Sequence, residues 1–216
     1  MIAPSALLDL AEADAAQAPS PLLKARAFAT VALHAAALAN EVRTLRCLGQ
    51  AEHVLPKLRL PDRVFVLDLL VKGALKLGRG DLAERLALDA AAMAGRVRTT
   101  ALRGLVLAKA AHLLALVGKA EEALVLIGRM DTGSDLVRRD VVRACLNLGD
   151  LDQAIDVASR ITGAEWRGEC LGRVAVALFD QGQVERGQAV LDMIEGPGWR
   201  AMALSEAASA LALNAF

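Results

Sequence analysis

EWRGECLGRVAVALFDQG, residues 165–182, is the stretch whose reading decides the fold. Between Arg167 and Gly182 apolar residues recur at three- and four-residue intervals, the pattern of a helix with one buried face. Glycine just past such a helix closes it by taking the left-handed backbone conformation. The Trp-Arg pair at Trp166 and Arg167 returns as Trp199 and Arg200, again ahead of an apolar-periodic segment. Two tryptophans placed alike in one chain point to a repeated helical unit.

Four glycines anchor the unit: Gly78, Gly118, Gly149 and Gly182. Five positions after them stand the small residues Ala83, Ala123, Ala154 and Gly187, and seven before them Val71, Ala111, Val142 and Ala175. Fifteen before them stand Arg63, Arg103, Ser134 and Arg167, and Arg200 extends the series. A leucine follows four positions after each arginine, at Leu67, Leu107, Leu171 and Leu204, whereas the unit beginning at Ser134 has Arg138. LGRGDLAER also permits a register on Gly80, but Gly78 aligns Arg63 and Leu67 with the other units. Helices are expected at 4–14, 21–39, 42–54, 62–77, 81–94, 98–117, 119–129, 134–148, 151–161, 165–180, 183–194 and 199–213. Small residues on both helices of a pair let them pack closely, and each pair needs its neighbours to cover its apolar face.

The turn glycine, the small residues around it and a period of about 34 residues resemble tetratricopeptide repeats. The resemblance covers roughly residues 61–216 and extends weakly over 21–55. Tyrosine is absent, leucine or alanine fills most aromatic positions, and the proline between hairpins occurs only as Pro61 and Pro197, so the repeats are degenerate. The resemblance implies an all-α fold: a right-handed superhelical solenoid of about six antiparallel helical hairpins. Degenerate hairpins over 1–60 would run into the array of 61–216 as one continuous domain.

Composition agrees with helices. Of 216 residues 55% are hydrophobic but only 3% aromatic, so the apolar content is Ala, Leu and Val, suited to closely packed helices. Lys plus Arg balances Asp plus Glu at 25 each, which leaves no overall field to attract nucleic acid or an anionic membrane. Cys47, Cys145 and Cys170 have no CxxC spacing and read as reduced core thiols in a cytoplasmic protein. The opening MIAPSALLDLAEADAAQAPS carries Asp9, Glu12 and Asp14 where an export signal is apolar. The longest uncharged run, from Ala27 to Asn40, is too short to span a bilayer.

No motif carries catalytic chemistry, and the chain is read as a non-enzyme with no cofactor. Gly78 to Ala83, GRGDLA, matches a dinucleotide fingerprint, but a helix precedes it where that fingerprint requires a strand. His34, His53 and His112 lack the spacing of metal ligands, and no serine sits in a nucleophile elbow.

What remains is a polar face on the first helix of each pair. In arrays of the resembled family those helices line the concave surface, and the positions projected there are Asp68, Lys72, Lys76, Lys109, His112, Arg139, Asp140, Arg143, Asn147, Arg173 and Asp180. Arg139, Arg143 and Asn147 fall at i, i+4 and i+8, one stripe along one helix. Similarity to carboxylate-clamp tetratricopeptide domains implies that Lys72, Lys76, Lys109, His112, Arg139, Arg143, Asn147 and Arg173 hold an acidic peptide of a partner protein; the alternative is a merely solvated face. Two other readings stand beside it: self-association through the apolar C-terminal helix, testable by polar substitutions at Leu211 and Leu213, and nucleic-acid binding by the same cations. The recurring arginines are read as turning back to carbonyls of the preceding helix, with each tryptophan covering a joint between hairpins.

Overall fold

The computed structural model describes residues 3–97, 100–130 and 133–214, with side chains described for all of these except 100, 101 and 210–214. Within them the chain is all-α, with no strand. The helices are α1 (Pro4–Gln17), α2 (Pro21–Ala37), α3 (Glu41–Val54), α4 (Leu60–Lys76), α5 (Gly80–Ala94) and α6 (Thr100–Leu116). After them come α7 (Ala120–Ile127), α8 (Ser134–Leu148), α9 (Leu151–Ser159), α10 (Ala164–Asp180), α11 (Val184–Asp192) and α12 (Pro197–Asn214). Each falls on a stretch that the apolar periodicity selects.

The four anchor glycines are left-handed, with φ of 75° at Gly78, 80° at Gly118, 75° at Gly149 and 72° at Gly182. Gly80 instead begins α5, so the register runs through Gly78. The turn between α2 and α3 has the same conformation at Ala39, φ 54°, where the Cβ costs about 1–2 kcal/mol that glycine avoids. Five positions on, Thr44 is fully buried and its hydroxyl donates to the Asn40 carbonyl at 2.7 Å. Seven positions before, Ala32 is fully buried. The N-terminal repeat therefore keeps the unit's packing plan with an alanine at its turn.

The chain divides into two compact units, Met1–Val117 with α1 to α6 and Gly118–Phe216 with α7 to α12. In the first, α2 packs on α1, α3 and α4, and α4 on α5 and α6. In the second, α8 packs on α7, α9 and α10, and α10 on α9, α11 and α12. Each even-numbered helix at a unit's centre thus meets both its chain neighbours and the next even-numbered helix. The small residues at the crossings, Ala83, Ala123 and Ala154, are fully buried, as are Val71 and Ala111. Leu67, Leu107 and Leu171 are buried, each worth about 1.5–3 kcal/mol of transfer free energy, whereas Leu204 on α12 is exposed.

Odd-numbered helices are tied to one another at the repeat spacing. Arg46 on α3 forks onto Glu12 of α1 with two bonds of 2.7 Å, and Arg85 on α5 reaches Glu52 of α3 at 3.0 Å. In the second unit Gln153 on α9 donates to Glu121 of α7 at 3.3 Å, and Arg186 on α11 pairs with Asp152 of α9. Exposed pairs of this kind stabilise by about 0–1 kcal/mol each; they fix how neighbouring helices align. Cys47, Cys145 and Cys170 are buried and free, and burial pushes each thiol up to about 11, so they stay protonated and act as small core residues.

Candidate binding face on the even-numbered helices

The recurring arginines fasten helix starts. Arg63 donates from Nε to the Leu58 carbonyl at 2.8 Å and from Nη2 to that of Pro56 at 2.7 Å. Arg167 donates to the Ile161 carbonyl at 3.3 Å and to Glu195 at 2.6 Å. Arg200 reaches a carboxylate instead, Asp192 on α11, at 2.5 Å. The carbonyl bonds and the Arg200 pair run back to the segment just before the helix, where carbonyls and acids favour a cation. The tryptophans lie across neighbouring even-numbered helices: Trp199 of α12 rests on Gly168 of α10, and the guanidinium carbon of Arg139 on α8 stands 5.5 Å from the ring centre of Trp166 on α10. Such a cation over an indole face contributes about 0.5–1 kcal/mol where exposed.

The positions projected from sequence resolve into two clusters, one in each unit. In the first, Asp68 on α4 is buried, not outward-facing as projected. It accepts from Lys72 one turn along its own helix at 2.9 Å and draws Lys109 of α6 to 3.6 Å. Burying a carboxylate requires such partners, and two cations supply them. Lys76 is exposed at the end of α4 and His112 half-buried on α6.

The second cluster repeats the arrangement with Glu169 on α10 at its centre. Arg173, one turn along the same helix, meets Glu169 at 2.9 Å, and Arg139 of α8 approaches it to 4.0 Å. Arg143 is exposed and pairs with Asp140 of its own helix at 2.6 Å. Asn147 is exposed one turn beyond. Lys72, Lys109, Arg139, Arg143 and Arg173, read from sequence as part of a carboxylate grip, are therefore matched by internal carboxylates at Asp68, Asp140 and Glu169. An incoming carboxylate would compete with these rather than meet a bare arginine. Glu169 and Trp166 were missed by the projection, although Glu169 to Arg173 and Asp68 to Lys72 are both i, i+4 pairs visible in the sequence.

Among the described residues there is no group of three or more His, Cys, Asp or Glu able to hold a metal ion, and no helix is long and apolar enough to cross a membrane. Leu211 and Leu213, proposed from sequence for polar substitution, lie outside the described side chains.

No protein-family model matches the chain, and no curated protein sequence matches it. By structure the chain is similar to Ton1535 from Thermococcus onnurineus NA1, at 15% identity over 94% of this chain and 84% of that one, with a TM-score of 0.35, a likeness too distant to carry an argument.

Proposed function

We propose that this protein is a non-catalytic scaffold of the tetratricopeptide-like kind, a right-handed array of antiparallel helical hairpins that holds a segment of a partner protein against its even-numbered helices. The observation that carries the reading is the stripe of Arg139, Trp166, Glu169 and Arg173, in which a partly exposed tryptophan sits beneath an arginine and among side chains held by ion pairs. Aromatic and arginine side chains fixed in place before binding are what interfaces use as anchors, because little side-chain entropy remains to be lost. Lys72, Lys109, Arg139, Arg143 and Arg173, already answered by carboxylates, would neutralise few phosphates and so release few of a nucleic acid's condensed counterions, which disfavours nucleic acid.

Capture from an extract of the native cells by immobilised protein tests the proposal. Wild type is expected to retain partner proteins that Arg139→Glu with Arg143→Glu does not, while the two melt within about 1 kcal/mol of each other, since both arginines are surface ion-pair members. The same proteins retained by both would contradict it.

Self-association is the second reading, supported by α12, where Met202 and Leu204 are exposed. It predicts a mass that rises with concentration and barely responds to salt.

A further inference from the structure

Two helices leave bare what their counterparts cover. On the even-numbered helices the residues eleven, seven and three before the turn form one stripe. The first two are Leu67 and Val71 in α4 and Leu171 and Ala175 in α10, all buried, and the same positions are buried in α2 and α6. In α8 they are Arg138, half-buried, and Val142, buried. In α10 the stripe runs on to Phe179, whose ring lies against Gly187 of α11, so this is the side that an odd-numbered helix covers. On α12, aligned by Arg200, the two positions are Leu204 and Ala208, and both are exposed. Leu204 is 44% exposed where Leu171 is 1%.

The odd-numbered helices bury an apolar residue eight positions after the turn: Cys47, Leu86, Leu126, Val157 and Val190. The register of α1 follows from its tie to α3. Glu12 accepts from Arg46 and Glu52 from Arg85, and both arginines stand seven positions after their turns, at Ala39 and Gly78. Glu12 thus holds in α1 the place that Glu52 holds in α3, and Leu7 the place of Cys47. Cys47 is fully buried, whereas Leu7 is 52% exposed. The remainder of the α1 packing face is covered, with Leu8 and Ala11 half-buried and Ala15 buried.

Resting on the self-association reading above, we propose that α12 of one copy receives α1 of a second copy. An even-numbered helix whose odd-side stripe is bare meets an odd-numbered helix whose own buried position is bare. These are the two halves of one joint, which the chain itself makes between α2 and α3, α4 and α5, α8 and α9, and α10 and α11. Each copy carries one half of each kind, so the occupant of either face is this same chain. Leu204 and Ala208 come together with Leu7 and leave water. The interface is heterologous, each copy contributing a different surface. A symmetric contact of α12 on α12 would leave Leu7 in water.

Each face is blocked singly, by Leu7→Glu on α1 and by Leu204→Glu on α12. Both positions are exposed, so the variants are expected to melt as wild type does. In sedimentation equilibrium the mass of wild type is expected to rise with concentration. Each variant alone is expected to associate at least about tenfold more weakly, because a leucine is lost from an apolar joint and a carboxylate put in its place. Mixed in equal amounts, the two variants are expected to form a dimer of one copy of each, since the intact α12 of the first meets the intact α1 of the second. Association of Leu7→Glu equal to that of wild type, or a mixture that stays monomeric, would overturn α1 as the occupant. In the first case a monomeric Leu204→Glu leaves self-association through α12 standing, whereas wild type that stays monomeric up to about 1 mM would overturn both, so the two failures are distinguishable.

Discussion

Asp135→Ala is expected to destabilise the Gly118–Phe216 unit by about 2–3 kcal/mol, read from urea unfolding by tryptophan emission. Asp135 lies in the first turn of α8 and acts on the turn that leads into α10. Its Oδ2 accepts from the Thr162 hydroxyl at 2.6 Å and from the amides of Thr162 and Gly163 at 3.1 and 2.9 Å, and its Oδ1 accepts from Arg138 at 2.7 Å. Gly163 is the N-cap residue of α10 and has no capping side chain; Asp135 from another helix fastens this helix start instead, through the amides of Gly163 itself and of Thr162 before it. Burial by itself would raise the carboxyl, but the bonds from Thr162, Gly163 and Arg138 outweigh it and hold Asp135 at about 2. A folded-state value below the unfolded one means stability that is present above about pH 4 and lost as the pH falls toward 2. The gap between wild type and Asp135→Ala should therefore close over that window. Asp135→Asn should lie between the two, since its amide oxygen can still accept but its amine faces Arg138.

Gly187→Val is expected to cost about 3 kcal/mol, because overfilling a packed crossing forces side chains off their rotamers. The position five after the turn is alanine in the three earlier units and glycine here. The residue three before the turn explains the difference: it is Leu75, Ala115 and Leu146 in those units and Phe179 in this one. A Cβ at Gly187 would lie 2.9 Å from two ring carbons of Phe179, and that ring is buried. The larger ring and the missing Cβ are thus one packing solution. Replacing both, Phe179→Leu with Gly187→Ala, restores the leucine-alanine combination of the Gly78 and Gly149 units. Thermal melting of the two single variants and the double should show a favourable coupling of at least about 1 kcal/mol, as for other residues in contact. Additive losses would mean that the two positions do not share space.

These two sites mark where reading the chain reaches its limit. The turn glycines were legible because the left-handed conformation selects glycine, and the helices because their apolar period repeats. Ala39 was not legible as a turn, since an alanine in that conformation leaves no sequence mark. The small residue at Gly187 could be found, but its cause is a ring on another helix. Asp68 was projected outward and is buried because projection gives a direction from the helix axis and says nothing about how near Lys109 will stand. Glu169 went unnoticed for a similar reason, its second partner Arg139 being on α8. The ties between odd-numbered helices, such as Glu52 to Arg85 and Asp152 to Arg186, sit one repeat apart in sequence and would have emerged from pairing opposite charges at that spacing.

The scaffold reading rests on the even-numbered helices, rather than the odd-numbered ones, meeting the partner. Photo-crosslinking in living cells separates the two, with a photoreactive residue placed at Arg143 on α8, at Arg173 on α10 or at Gln188 on α11, all of them exposed. The account predicts adducts to a partner protein from Arg143 and Arg173 and none from Gln188. Adducts from Gln188 alone, or equally from all three, would contradict it.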